Sequence, residues 1–127
     1  MSQPRILLLD DTPEIAELLT YALRDHGYDV VATGFDPGIS ELIAEHHPDA
    51  LVIDCSAFEM SETLFDAVRA NPDHASLPIV VVSDTPEKAD ASLHKREAEY
   101  VLLIPKPFSG SQIARALGQL LNHPITR

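Results

Sequence analysis

The chain alternates short apolar runs with longer stretches in which apolar residues recur every three or four positions. Each short run predicts a strand buried on both faces, as in a parallel sheet. These runs occupy residues 5–9, 29–33, 50–53, 79–82 and 100–104. The stretches between and after them predict amphipathic helices. Five strands alternating with five helices predict a doubly wound α/β sandwich with right-handed crossovers.

Capping signals indicate where the helices begin. A capping residue precedes a proline at Thr12-Pro13, Asp36-Pro37 and Thr85-Pro86, which predicts helix starts at those prolines. The third helix should begin near Ser61. The segment 109–112 has the form of a capping box and predicts the start of the fifth helix, which should end near residue 121.

The first predicted helix has one apolar face, which should pack on the sheet. That face contains Ile15, Leu18, Leu19, Ala22 and Leu23. Tyr21 falls on the other side, among acidic residues. Gly27 should end this helix, because glycine tolerates the left-handed conformation that often follows a helix.

Composition narrows the class of protein. A chain of 127 residues is expected to be one domain, 1–127, with no room for an output domain. A net charge of −11 argues against nucleic-acid binding, because contacts to phosphates require clustered lysine and arginine side chains. Lys88, Lys95 and Arg96 are the one local group of basic residues, and we expect them to form a solvated face.

No apolar stretch is long enough for a membrane span or a signal peptide. The single Cys55 cannot form an internal disulfide, which fits the cytoplasm, and it is expected to be a packing residue.

Polar residues stand where the predicted strands end. Asp10 and Asp11 follow the first strand, Asp54 the third, Ser83 the fourth and Lys106 the fifth. Because ligands of open parallel sheets bind outside the carboxyl ends of the strands, these side chains should share one site. Each residue alone has an ordinary structural explanation as a helix-entry acid, turn residue, loop cap or ion-pair partner. Their combination makes a functional site the better interpretation.

The set Asp10-Asp11, Asp54, Ser83 and Lys106-Pro107-Phe108 resembles the receiver domain of two-component response regulators, over the whole chain. The resemblance implies a flavodoxin-like (βα)5 fold with strand order 2-1-3-4-5. It implies a cytoplasmic signalling switch rather than an ordinary enzyme. A histidine kinase or phosphotransfer protein would supply a phosphoryl group to Asp54, and a downstream protein would read the result.

The same resemblance assigns a metal site. Asp11 and Asp54 would bind Mg²⁺ directly, Asp10 through water, and Ser56 through its backbone carbonyl. Mg²⁺ is a hard cation that prefers such oxygen ligands, and it relieves the repulsion between neighbouring carboxylates.

Further roles follow from the resemblance for residues around the acceptor. The Ser83 hydroxyl and the Lys106 ammonium would contact phosphoryl oxygens. The Lys106–Pro107 peptide bond would be cis. The first helix of receivers docks the histidine-bearing helix of the partner, so an exposed Tyr21 is a candidate anchor; an ordinary surface tyrosine is the alternative.

The chain also departs from the receiver pattern. Receivers carry Met-Pro and Gly where Ala57, Phe58 and Glu62 stand, and a small residue where Asp84 stands. Leu103 occupies the place of the aromatic switch residue. Asp84 would either repel an incoming phosphoryl group or turn outward as part of a helix cap. These departures keep a second interpretation open, a degenerate receiver that acts as a phosphorylation-independent interaction module.

Three other classes fit the strand ends less well. A haloacid-dehalogenase-type phosphatase needs a second acid two residues after Asp10, where Thr12 stands. A P-loop kinase needs a glycine-rich first loop, and residues 10–14 contain no glycine. A flavodoxin-like FMN binder would place Ser, Thr or Gly amides there rather than two carboxylates.

Overall fold

The protein is described here from a computed structural model that covers residues 3–34 and 38–122. Its sheet has five parallel strands: β1 (Arg5–Asp10), β2 (Asp29–Thr33), β3 (Ala50–Asp54), β4 (Ile79–Ser83) and β5 (Val101–Pro105). The helices are α1 (Pro13–Asp25), α2 (Ile39–His46), α3 (Phe58–Ala70), α4 (Pro86–Lys95) and α5 (Gly110–Asn122), with a 3-10 turn at Pro72–His74. The strand order β2-β1-β3-β4-β5 confirms the flavodoxin-like (βα)5 fold.

The sheet separates two apolar layers because successive side chains of a strand point to opposite faces. Ile6 and Leu8 of β1 lie in one layer, which also contains apolar residues of α1 and α5. Leu7 and Leu9 lie in the other, with apolar residues of α2 and α3. β1 and β3 are therefore buried on both faces, as their uninterrupted apolar sequences predict.

The starts of two elements differ from the sequence-based predictions. α3 begins at Phe58 rather than near Ser61, because the Ala57 carbonyl already accepts hydrogen bonds from the amides of Met60 and Ser61. β5 begins at Val101, since Tyr100 has a φ of 58° that no strand residue adopts. The predicted helix start at residues 36–37 lies outside the described residues.

The capping predictions are confirmed to different degrees. Ser109 and Gln112 form a reciprocal capping box: the Ser109 amide donates to the Gln112 side chain at 2.7 Å, and the Gln112 amide donates to the Ser109 hydroxyl at 3.2 Å. Thr12 and Thr85 occupy the predicted N-cap positions, but neither side chain makes a capping hydrogen bond.

The predicted apolar face of α1 is wrong at one position. Leu19 and Leu23 are buried, whereas Leu18 is 65% exposed. It lies at the border of the contact surface, where it lines an open groove with Lys106 and Phe108. Cys55 is buried in the second apolar layer, as expected for a packing residue.

Within residues 3–34 and 38–122, no helix is both long and apolar enough to cross a membrane.

Candidate functional site

Two buried carboxylates lie side by side at the carboxyl edge of the sheet. Asp10 ends β1 and Asp54 ends β3, and the parallel register pairs these two residues directly. Their exposed fractions are 5% and 2%. Asp10 Oδ1 accepts a hydrogen bond from the Thr12 amide at 2.9 Å. Neither Asp10 Oδ2 nor Asp54 Oδ2 has a hydrogen-bond partner among the described residues.

Burial makes the charged form of Asp10 unfavourable. The pKa of Asp10 is raised from 3.8 to about 7, mainly by burial and also by the negative charges of Asp54 and Asp11. The hydrogen bond from the Thr12 amide acts in the opposite direction but does not compensate. The pair therefore holds a carboxyl group that is partly protonated near neutral pH, in a place that favours an added cation.

Lys106 provides the positive charge of the site. It follows β5, its peptide bond to Pro107 is cis, and its amide donates to the Ser83 carbonyl at 2.9 Å. Its Nζ lies 2.9 Å from Asp54 Oδ1 and 3.7 Å from Asp84 Oδ1. Burial alone lowers the pKa of Lys106, but the contact with Asp54 and the negative charges of Asp84 and Asp10 together outweigh this effect and raise the pKa above its ordinary value. Asp54 Oδ1 therefore contacts Lys106 as an ion pair. It accepts no hydrogen bond of good geometry from the described residues.

Asp11 is turned toward the loop after β3. One oxygen of its carboxylate accepts a hydrogen bond from the Ser56 amide at 3.0 Å, and the other accepts a short one from the Ser56 hydroxyl. Among the described residues, no three Asp, Glu, His or Cys side chains converge on one point as metal ligands would. The structure thus brings Asp10 and Asp54 together and holds Asp11 aside on Ser56.

Ser83 ends β4 and is buried, but its hydroxyl is engaged with the start of α4. The oxygen accepts a hydrogen bond from the Thr85 amide at 3.0 Å. Asp84 is 61% exposed, and its Oδ1 lies within ion-pair distance of the Lys106 ammonium. Leu103 is half-buried on the opposite side of β5 from Leu102 and packs against the second apolar layer.

An open groove borders the acidic pair on the α1 side. It is lined by Asp10, Asp11, Glu17, Tyr21 and Arg24, among other residues. Tyr21 is 61% exposed, as its position on α1 predicts. An exposed aromatic side chain therefore lies in the same groove as two of the acidic residues.

The sequence did not reveal a row of contacts between α3 and α4. Three α3 residues at four-residue spacing meet two α4 residues and Arg96, which directly follows α4, at the same spacing; we call this row the α3–α4 ladder. Its three steps are Phe58–Lys88, Glu62–Ser92 and Asp66–Arg96. Lys88 and Lys95 are exposed, as expected of a solvated face, whereas Arg96 is half-buried and ion-paired with Glu62 and Asp66, so the expectation is wrong for Arg96. Two of the positions that depart from the receiver pattern, Phe58 and Glu62, belong to this ladder.

Residues 6–118 match the family of response regulator receiver domains, and the chain belongs to this family. It is 29% identical over 119 residues to the DNA-binding response regulator MtrA of Mycolicibacterium smegmatis, covering 91% of this chain and 50% of MtrA. It is 30% identical over 125 residues to the sensor histidine kinase TmoS of Ectopseudomonas mendocina, covering 97% of this chain and 12% of TmoS. The chain thus spans half or less of these two relatives.

Solved structures have the same fold. A sensor protein from Polaromonas sp. JS666 superposes with a TM-score of 0.81 at 25% identity, covering 94% of this chain and 97% of that one. The receiver domain of sensor histidine kinase PA1611 from Pseudomonas aeruginosa PAO1 superposes with a TM-score of 0.77 at 22% identity, covering 95% and 99%; that structure holds a magnesium ion in its active-site cleft. Receiver domains are regulatory switches that interact with histidine kinases and downstream effectors, and this chain is of that class.

Proposed function

We propose that the protein is a phosphoaspartate switch in which Asp54 accepts a phosphoryl group. The observation that carries this proposal is the environment of Asp54: a 2% exposed carboxylate at a strand end, with one oxygen lacking a hydrogen-bond partner among the described residues. The other oxygen lies 2.9 Å from the Lys106 ammonium. Burying a charged group with an unpaired oxygen costs free energy. Such groups are therefore found more often at functional sites than in structural positions.

The transfer forms one bond and breaks another. An Asp54 oxygen attacks the phosphorus atom of a phosphohistidine on a partner protein, the new O–P bond forms, and the P–N bond breaks with its electron pair leaving on the imidazole, which takes up a proton. The Lys106 ammonium, now paired with Asp54, would move to a phosphoryl oxygen. The Ser83 hydroxyl would donate to another phosphoryl oxygen and give up its contact with the Thr85 amide.

The acidic residues fit Mg²⁺ in part. Asp10 Oδ2 and Asp54 Oδ2 are buried oxygens without partners among the described residues, and such oxygens suit a hard cation. Asp11 would have to leave Ser56 to join them, and the Ser56 carbonyl would be the fourth ligand group. When bound, Mg²⁺ would neutralise the charge that accumulates between the carboxylates and the phosphoryl group.

The partner would dock on α1. Tyr21 is exposed in the groove that contains Asp10 and Asp11, so a histidine-bearing helix placed there would bring its phosphohistidine to the acidic pair. Tyrosine is a frequent anchor of protein interfaces. Tyr21→Ala should slow transfer from the cognate kinase and leave phosphorylation by acetyl phosphate unchanged. Equal slowing of both reactions would contradict the docking role.

The second candidate function is a phosphorylation-independent interaction module. Two observations favour it: Asp11 is engaged by Ser56, and Asp84 places another negative charge within 3.7 Å of the Lys106 ammonium. Such a module would keep the fold and its surfaces without using the acceptor.

Intact mass spectrometry distinguishes the two candidates. We expect incubation with Mg²⁺ and acetyl phosphate to add one phosphoryl group to the wild-type protein and none to Asp54→Asn. Chelation of Mg²⁺ should also stop the reaction. The control is Asp73→Asn, which changes the same charge in the 3-10 turn. A wild-type mass that never shifts at saturating Mg²⁺ would favour the interaction module.

A further inference from the structure

The α3–α4 ladder fastens two helices that flank the candidate site. Ser92 donates a hydrogen bond to Glu62 Oε2 at 2.7 Å, and Arg96 Nη1 lies 3.4 Å from the same oxygen. Arg96 also donates to both oxygens of Asp66, at 2.7 and 3.0 Å. Such a bidentate pair constrains orientation as well as distance. At the other end of the ladder, Lys88 Nζ lies 4.9 Å from the centre of the Phe58 ring, within the range of a cation–π contact.

The ladder covers a small cavity that reaches Ser83. The cavity has a volume of about 20 Å³, enough for one water molecule. Glu62, Ser92 and Arg96 of the ladder line it, and Ser83 lines its inner side. The space next to the predicted phosphoryl-sensing hydroxyl is therefore bounded by the residues that hold α3 and α4 together.

α4 is consequently held at two places. Its start is attached to Ser83, whose hydroxyl accepts from the Thr85 amide at 3.0 Å. Its length is attached to α3 through the ladder. If the Ser83 hydroxyl turns to a phosphoryl oxygen, the first attachment is lost and the ladder alone resists a shift of α4.

Resting on the proposed phosphoryl acceptance at Asp54, we propose that the α3–α4 ladder holds α4 in its unphosphorylated arrangement, and that phosphorylation weakens the ladder so that α4 transmits the signal. Leu103 has no hydroxyl or aromatic ring with which to sense a displaced Ser83. The ladder, in contrast, includes Phe58 and Glu62, two positions at which the chain departs from the receiver pattern. The switch is thus set by contacts on the α3 side of α4.

Reciprocal coupling makes this inference measurable. If phosphorylation weakens the ladder, then breaking the ladder must favour the phosphorylated state by the same free energy. Glu62→Gln retains a hydrogen-bond acceptor for Ser92 and removes the charge that faces Arg96. Asp66→Asn removes the charge of the bidentate pair. The matched control is Asp29→Asn, which breaks the ion pair between Arg5 and Asp29 at the amino ends of β1 and β2. In this pair Arg5 Nε lies 2.9 Å from Asp29 Oδ2, and its side chains are partly exposed, like those of Arg96 and Asp66.

The experiment titrates each variant with beryllofluoride and Mg²⁺, because beryllofluoride mimics a phosphoryl group on a carboxylate. Hydrogen exchange of residues 84–96 is followed in the free and bound protein. We expect the Glu62→Gln/Asp66→Asn double variant to bind about three- to tenfold more tightly than the wild type, in keeping with two partly exposed ion pairs. Its free form should exchange faster in α4, and beryllofluoride should raise α4 exchange in the wild type. Asp29→Asn should change neither quantity.

Two results have different meanings. An affinity within about twofold of the wild type, together with α4 exchange that beryllofluoride does not alter, would overturn the ladder inference and leave Asp54 as acceptor. A wild-type protein that neither binds beryllofluoride nor gains mass from acetyl phosphate would overturn the proposed function and the ladder inference with it. A loss of stability alone would not tighten beryllofluoride binding, so a purely structural ladder is distinguished from a regulatory one.

Discussion

Replacing Asp10 by asparagine should stabilise the metal-free protein. Asp10 is 5% exposed, and one of its oxygens has no hydrogen-bond partner among the described residues. Its pKa is raised to about 7, first by burial and then by the charges of Asp54 and Asp11. Asparagine has nearly the same shape and can still accept from the Thr12 amide, but it carries no charge.

The size of the expected gain in the free energy of unfolding follows from the raised pKa of Asp10. Between pH 4 and pH 7 the unfolded chain has released the Asp10 proton while the folded chain retains it, so the stability of the metal-free wild type falls as pH rises through this range. A rise from 3.8 to about 7 corresponds to about 4 kcal/mol if fully expressed. We expect about half, roughly 2 kcal/mol, because solvent at the open groove screens the charge.

Urea unfolding in EDTA at pH 4.5 and pH 7.5 measures this effect. At pH 7.5 Asp10→Asn should be more stable than the wild type by about 2 kcal/mol, and at pH 4.5 the two should be nearly equal. Glu99→Gln makes the same charge change at an exposed position and serves as the control. If Asp10→Asn were less stable than the wild type at pH 7.5, the unfavourable charge at Asp10 would be refuted. The proposed Mg²⁺ site predicts that this order reverses when Mg²⁺ is added, because the variant would lack one of the carboxylates of that site.

Three further predictions concern other parts of the structure. Arg69 donates to four backbone carbonyls, of His74, Leu77, Glu99 and Tyr100, so Arg69→Met should lower the free energy of unfolding by about 2–3 kcal/mol in urea titrations, and a loss below about 0.5 kcal/mol would contradict this role. A Cβ at Gly110 would lie 2.4 Å from the Cβ of Ala22, so Gly110→Ala should cost about 1–3 kcal/mol by forcing α5 from α1, and an unchanged melting temperature would show that the helices separate freely. Asp84→Ala should speed phosphorylation by acetyl phosphate about three- to tenfold, since it removes a negative charge 3.7 Å from the Lys106 ammonium; an unchanged initial rate would show that solvent screens this charge.

The alternation of apolar runs and amphipathic stretches was sufficient to predict a doubly wound α/β sandwich, whereas the strand order was implied by the resemblance to receiver domains. A strand buried on both faces must be apolar along its whole length, so β1, β3 and β4 are visible in the sequence. Once the strands are parallel, their carboxyl ends share one edge. The side-by-side placement of Asp10 and Asp54, and the approach of Lys106, therefore follow from strand position. The capping box at Ser109 is equally local, because its two partners are three residues apart.

Contacts between elements depended on the tertiary structure. The four-residue spacing of Phe58, Glu62 and Asp66 is present in the sequence, but the rotation of α3 about its axis decides whether that row meets α4 or solvent. Leu18 belongs to the apolar row of α1 by periodicity, and it is exposed because the surface that covers α1 ends before it. Asp11 follows Asp10 in sequence, yet a residue 45 positions away, Ser56, determines where its carboxylate lies. Local pattern thus determined the elements and the edge at which the polar residues collect, whereas side-chain partners were decided by the packing of helices and loops against one another.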